Sequence, residues 1–334
     1  MTGRHPGGLT TQGEILYDLF RAESAGVLAV SDKQNRYHRL LDMARFLVVN
    51  RRRINIQCLS VYSGPSFFLA DLVSGLGKAL EQKLVLHLHG GGLPELFARR
   101  PAWARRVLKR ADAIVAPSMF LSRATQELGF ASRVIPNVIC LEDYPFRERS
   151  DIAPRLFWMR SFHPIWNPDM AVRVLSRLRA RGLAATLVMG GSDKGSLDSV
   201  RRLTAELKLG DAVRFAGFLD RTGKAREGSV ADVFLNTNRV DNMPVAVVEA
   251  CAMGLPVIST NVGGIPDLLT AGETGLLVPS DDVEAMANAV LRLLNDPTLV
   301  AKLSQNGRQL AEQSAWPAVK AQWQALFREL DVTV

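Results

Sequence analysis

The sequence predicts an α/β protein built from two parallel-sheet domains, and three observations carry that expectation. Short apolar runs of strand length alternate with segments of helical period along nearly the whole chain, the pattern of repeated βαβ units. The 334 residues suit two domains of about 150 residues each. One stretch, Val233 to Pro266, lays out strand, loop, helix, strand and loop in close order. The loops after parallel strands lie at the sheet edge where α/β folds bind ligands.

In chain order, Met1 to Pro6 has no strand character, and Gly7-Gly8 follows at once. An amphipathic helix is expected over Glu14–Phe20, a strand over Gly26–Ser31 and a helix over Tyr37–Val49. Strand Ile54–Val61 and helix Phe67–Leu80 come next. Strand Lys83–His89 runs into Gly90-Gly91-Gly92. Ala113–Ala116 and Arg133–Pro136 continue the alternation, and Ser118 is an expected helix N-cap. The polar, proline-containing run Asp151–Pro154 places a domain boundary near 150. Strands at Leu156–Met159, Ala185–Met189 and Val213–Phe215 then alternate with helices at Pro168–Arg181 and Ser196–Leu207. After strand Val233–Leu235, Asn242 as N-cap and Pro244 in the first turn open a helix over Val245–Met253. Gly254 ends it before strand Leu255–Thr260. Asp281 and Glu284 form a capping box for helix Asp282–Leu294, and a last helix is expected near Val319–Leu330.

The central stretch holds two carboxylates, Asp241 before the helix and Glu249 within its apolar body. A carboxylate buried there is costly unless something bonds to it. Taken alone, Glu249 fits a salt bridge to a nearby basic residue. It also fits a polar pocket shared with the free N–H groups of the helix start and the close approach that Gly263-Gly264 allows.

The wider pattern decides between these. Asp241 and Glu249 are separated by seven residues, and Ala250-Cys251-Ala252-Met253-Gly254-Leu255-Pro256-Val257 follows. Gly-Gly-Ile-Pro at 263–266 and Gly-Glu-Thr-Gly-Leu-Leu-Val-Pro at 272–279 come after it. This series resembles the donor-site signature of the family 4 retaining glycosyltransferases, which have the GT-B fold of two Rossmann-like domains facing across a cleft. The resemblance implies an acceptor-side domain over 1–149, a nucleotide-sugar-binding domain over 150–314, and a terminal helix, 315–334, returning to the first domain. It also implies an opening apolar strand before Gly7-Gly8, which this sequence lacks, so the first sheet is expected to miss a strand.

The resemblance assigns four catalytic positions: His89 facing the reacting carbon, Arg160 on the donor diphosphate, Asp241 on the sugar hydroxyls and Glu249 on the ribose. Gly7, Gly8, Gly217, Phe218, Asn242, Met243, Pro244, Val245, Gly263 and Gly264 complete the donor-binding set. The family's lysine after Arg160 is absent, and Lys194 is a surface lysine or a substitute. The implied reaction moves a sugar from a nucleotide sugar to a hydroxyl of a glycan, lipid-linked or small acceptor, with retention. No cofactor or metal is expected, because basic side chains and helix N-termini meet the diphosphate charge and no Asp-x-Asp or histidine cluster is present. The missing strand and lysine also allow a second reading, a catalytically impaired GT-B sugar- or nucleotide-binding partner protein. A third reading, a nicotinamide dinucleotide enzyme, ranks below both, because no Gly-x-Gly-x-x-Gly follows a strand with an acidic residue suitably downstream.

Residues 1–150 carry 21 Lys and Arg against 13 Asp and Glu, and the remainder 20 of each, so the whole formal charge of +8 lies in the first part. That basicity suits an anionic membrane surface or acidic acceptor, and no nucleic-acid-binding motif accompanies it. Cys58, Cys140 and Cys251 are far apart and read as reduced core thiols. The expected location is the cytoplasm, with peripheral contact on the inner membrane face.

Overall fold

The computed structural model describes residues 11–332 except 24, 25, 32 and 34. Gly7 and Gly8 lie outside the described residues. The chain divides into two compact units. The first holds the described residues up to Val138 together with those from Trp316 onward, and the second holds Ile139–Ala315. The division falls before the polar run near 150 because Ile139 and Tyr144 are already buried in the core of the second unit.

The first unit contains α1 (Gln12–Glu23), α2 (Arg36–Val49), β1 (Ile56–Val61), α3 (Pro65–Ala79) and β2 (Lys83–Leu88). It continues with α4 (Leu93–Arg99), α5 (Pro101–Leu108), β3 (Ala113–Ala116), α6 (Met119–Gln126) and β4 (Arg133–Val134). Its sheet has the order β1-β2-β3-β4, with every pair parallel. The strand expected over Gly26–Ser31 does not form: of this segment, Gly26 to Val30 lines a cavity of about 290 Å³ that separates it from β1. The edge of β1 away from β2 is therefore without a strand partner among the described residues. One sheet face is covered by the helices from α2 to α6, whose Met43, Phe67, Phe97 and Leu121 meet Leu84 and Leu86 of β2.

The second unit contains β5 (Arg155–Met159), α7 (Pro168–Ala180), β6 (Thr186–Gly190), α8 (Leu197–Glu206), β7 (Val213–Gly217), α9 (Arg221–Val230) and β8 (Val233–Asn236). Then come α10 (Val245–Ala252), β9 (Val257–Thr260), α11 (Ile265–Leu268), β10 (Leu276–Val278), α12 (Val283–Leu294) and α13 (Pro297–Glu312). The order is β10-β9-β8-β5-β6-β7, again all parallel. The chain winds outward from β5 through β6 and β7, then returns to β8 on the other side and winds the opposite way. The winding reverses between β5 and β8, and the carboxyl ends of such a pair frame the ligand crevice of doubly wound sheets. Leu156–Met159 of β5 and Val233–Leu235 of β8 are continuous apolar runs, as a sheet covered on both faces requires. The last helix, α14 (Trp316–Glu329), belongs to the first unit. Its Val319, Trp323 and Phe327 join Phe20 of α1 on the other sheet face, over Val85 and Val115.

Several local expectations change. The N-cap of α10 is Pro244, not Asn242. Pro244 itself is extended, at φ −68° and ψ 106°, so it stands outside the first helical turn and the helix starts after it. The N-cap of α12 is Asp282, which accepts the Ala285 N–H at 2.8 Å. Asp281 instead pairs with Arg239 at 2.7 Å. Ser118 does cap α6. Cys58 is exposed and Cys140 half-buried, so only Cys251 is a core thiol.

Candidate active site in the second unit

Arg160 follows β5 directly, and the loop Thr237 to Pro244 follows β8. Both lie at the point where the winding reverses. The Arg160 guanidinium ion-pairs with Asp241 and lies over the Trp166 ring, 4.0 Å from its centroid. Trp166 is fixed in turn by Thr237: the Thr237 hydroxyl donates to the Trp166 carbonyl at 2.8 Å and accepts from Trp158 Nε1 at 2.9 Å. Asp241 Oδ2 also accepts from Asn238 Nδ2 at 2.6 Å, and Oδ1 from the Asn242 N–H at 2.7 Å. Arg160 Nε and Asn238 Oδ1 are buried with no protein partner. Such orphaned groups are costly and mark places where a ligand or water completes the bonding.

Two glycines hold this corner together. Gly263 has φ +56°, and a Cβ there would sit 2.0 Å from the Asp241 carbonyl oxygen. The Gly264 N–H donates to that same oxygen at 3.0 Å. The backbone approach expected of Gly263-Gly264 is thus an approach to Asp241. A Cβ on Gly191 would lie 1.8 Å from the Arg160 carbonyl oxygen, and the Gly191 N–H donates to the Gly217 carbonyl at 2.7 Å. Gly217 is therefore a turn that ties β7 to β6, with Phe218 exposed beside it. Asn242, Met243 and Pro244 are buried in the loop. No side chain caps α10; the Val247 and Val248 N–H groups donate to the Pro244 carbonyl, at 3.0 and 3.3 Å, which leaves those of Val245 and Ala246 to water or a ligand.

Glu249 lies on the next turn of α10 and is 5% exposed. Lys224 of α9 donates to both of its oxygens, at 2.8 and 2.9 Å, and the Tyr144 hydroxyl donates to Oε1 at 2.7 Å. Burial, reinforced by the Glu249 charge, pushes the Tyr144 phenol far up, so Tyr144 remains a donor. The costly buried carboxylate is thus neutralised inside the protein. Lys194, by contrast, is exposed on the surface.

His89 belongs to the first unit, at the end of β2. It is 5% exposed, stacks on Tyr62 at 5.0 Å between centroids and lies 4.0 Å from His87. The Nε2 atoms of both histidines are buried without a partner. Burial, and then the neighbouring His87, holds His89 well below the usual histidine range, so its imidazole is neutral at pH 7. Among the described residues no group of three or more His, Cys, Asp or Glu side chains is placed to hold a metal ion.

Sequence reasoning singled out Arg160, Asp241, Glu249 and the glycines. It missed Lys224, Tyr144, Trp166 and Asn238. The run Asn236-Thr237-Asn238 at the end of an apolar strand was the available signal for Asn238.

Two family models match the chain in succession, Glycosyltransferase Family 4 over residues 17–143 and Glycosyl transferases group 1 over residues 150–310. The chain belongs to glycosyltransferase family 4. It is an enzyme of that family, and its two parallel-sheet units have the GT-B fold. One relative is the GDP-mannose-dependent α-(1-6)-phosphatidylinositol monomannoside mannosyltransferase of Mycolicibacterium smegmatis, 29% identical over 75% of this chain and 71% of the relative. Other curated relatives align over about half of this chain and less than half of their own length. Among solved structures, the sucrose-phosphate synthase of Thermosynechococcus elongatus superimposes with a TM-score of 0.73 at 24% identity, covering 92% of this chain and 82% of that one. HepE of Anabaena, solved in complex with UDP, gives a TM-score of 0.73 at 17% identity, covering 88% and 84%. These two likenesses carry the fold of this family 4 chain.

Proposed function

We propose that this family 4 enzyme is a retaining, metal-independent glycosyltransferase that moves a hexosyl group from a nucleoside-diphosphate sugar to a hydroxyl of a lipid-linked or glycan acceptor. The observation that carries the reading is Arg160. It stands where the sheet winding reverses, stacked on Trp166, with a buried Nε that has no protein partner. A guanidinium so held is matched to a diphosphate, whose oxygens it can bond in pairs. The uncapped first turn of α10 adds N–H groups and a positive dipole end nearby. Asp241, already oriented by Asn238 and Asn242, takes the sugar hydroxyls, and Glu249 takes the ribose. Gly217 and Phe218 wall the base.

Stabilisation of the departing diphosphate is then the main catalytic term. The charge requirement is met by Arg160 and backbone N–H groups, and a divalent ion is not called for. The donor class is supported by the GDP-mannose and UDP named for the relative and the structural neighbour. The basic first unit supports an acceptor presented at an anionic membrane on the cytoplasmic side.

The test is transfer and hydrolysis across a panel of GDP- and UDP-sugars, with and without EDTA. Turnover of at least one donor is expected, unchanged by EDTA and lowered about 10²- to 10³-fold in Arg160→Ala. A folded protein that binds and turns over no donor in the panel would end the reading.

A further inference from the structure

Helix α2 meets the interior with Met43 and Leu47, which are 6% and 4% exposed. Its opposite face is not polar. Leu41 and Val49 are 68% and 71% exposed, and Tyr37 and Val48 are 63% and 45% exposed. With Arg45 these positions form an outward stripe at spacings of three and four residues, one side of the helix. Helix α3, packed against α2, shows Phe68 and Leu72 at 53% and 42%, also four residues apart. Exposed apolar residues scattered singly are ordinary, but two neighbouring helices that each carry an aligned apolar row are not.

The charge around this surface has one sign. Residues 36–53 contain six arginines and a single acidic residue, Asp42. Arg51, Arg52 and Arg53 are exposed at the turn that ends α2. The acidic residue of α3, Asp71, is buried and already bound by Arg106, Arg110 and Trp103. The fold thus consumes the negative charge inside and leaves arginines at the rim of an apolar patch. A helix lying in a membrane interface has this construction: apolar side chains reach the acyl boundary while flanking cations meet anionic headgroups.

We propose that the outward faces of α2 and α3 dock on an anionic lipid bilayer, with Leu41, Val48, Val49, Phe68 and Leu72 inserted and Arg45, Arg51 and Arg52 on the headgroups. The surface belongs to the first unit and is formed without the residues assigned to the donor. The inference deepens the membrane contact proposed above, yet it does not depend on the transfer chemistry, because binding is read without donor or acceptor.

The experiment is co-sedimentation of the full chain with vesicles of 70% phosphatidylcholine and 30% phosphatidylglycerol, and with pure phosphatidylcholine, at 50 and 500 mM salt. The expected result is binding to the anionic vesicles at least tenfold stronger than to the neutral ones, weakened by salt. Leu41→Ser/Val49→Ser and Arg51→Glu/Arg52→Glu should each reduce binding at least tenfold, with the far-UV spectrum and turnover of a water-soluble acceptor unchanged. Arg173→Glu/Arg202→Glu, on exposed positions of the second unit, makes the same charge change and should leave binding intact. No binding to anionic vesicles at 50 mM salt overturns the proposal, as does equal loss in the Arg173/Arg202 variant. Self-association of the wild type that Leu41→Ser/Val49→Ser abolishes also overturns it, since the face would then be a contact between copies of the chain.

Discussion

At the scale of the residue, the site is a set of charges that the protein has already answered. Glu249 is the clearest case. Its two oxygens receive Lys224 and Tyr144, so the most costly buried group of the donor loop is stable before any ligand arrives. Removing only the lysine strands a buried carboxylate, which is far worse than losing both charges. Lys224→Met should therefore destabilise the second unit by about 2 kcal/mol, below the fully buried figure because Lys224 is 26% exposed. Lys224→Met/Glu249→Gln should recover most of that loss, since the amide oxygen still accepts from Tyr144. Urea unfolding of the two variants checks both halves; equal destabilisation would show that the pair's charge is not what matters. The same residues show how far reading the sequence goes. Glu249 stood out because a carboxylate in Val245–Ala252 breaks an apolar run. Lys224 and Tyr144 did not, because they lie 25 and 105 residues from it and nothing local marks them as its partners.

At the scale of the element, the strand–loop–helix–strand unit around α10 was legible because its punctuation is chemical. Gly254 at φ +73° and Gly263 at φ +56° sit where the chain must turn in ways other residues resist. The cap positions were not legible to the residue. At α10 the proline overrides the asparagine, and at α12 one aspartate of an adjacent pair caps while the other is taken by Arg239. The strand expected over Gly26–Ser31 failed for another reason: an apolar run pairs only where a strand edge comes within hydrogen-bonding reach, and a cavity intervenes. The glycine contact gives a direct test. Gly263→Ala places a Cβ against the Asp241 carbonyl and carries a positive φ, so the loop after β9 must move. We expect a loss of more than about 1 kcal/mol in stability, together with weaker nucleotide-sugar binding by calorimetry. Unchanged binding would show that Asp241 is held without that contact.

At the scale of the whole molecule, the two units differ in how they answer acid. His87 and His89 are both buried in the first unit. Burial pushes His87 down to about 3 and His89 well below its usual value. The folded unit keeps both neutral, whereas the unfolded chain takes up protons below pH about 6.5. Their contribution to stability is complete above that pH and is lost as pH falls toward 3, by about 1.4 kcal/mol per pH unit for each histidine. Between pH 7 and 5 the first unit should therefore lose stability while the second holds. Thermal unfolding should separate into two steps as the pH drops, and His87→Phe should flatten the shift. A single transition at all pH values would contradict this account.

The free edge of β1 has its own consequence for backbone protons. In a parallel strand, successive N–H groups point alternately to the two neighbours. Among the described residues only one neighbour, β2, is present along Ile56–Val61. Every second amide of β1 therefore faces the cavity beside it and has no strand carbonyl to hold it. Hydrogen exchange resolved to single residues should show a two-residue rhythm along β1, slow and fast in turn, while β2, bonded on both sides, is slow throughout. Pairing on one side would then be recorded as a clock running at two speeds within one strand.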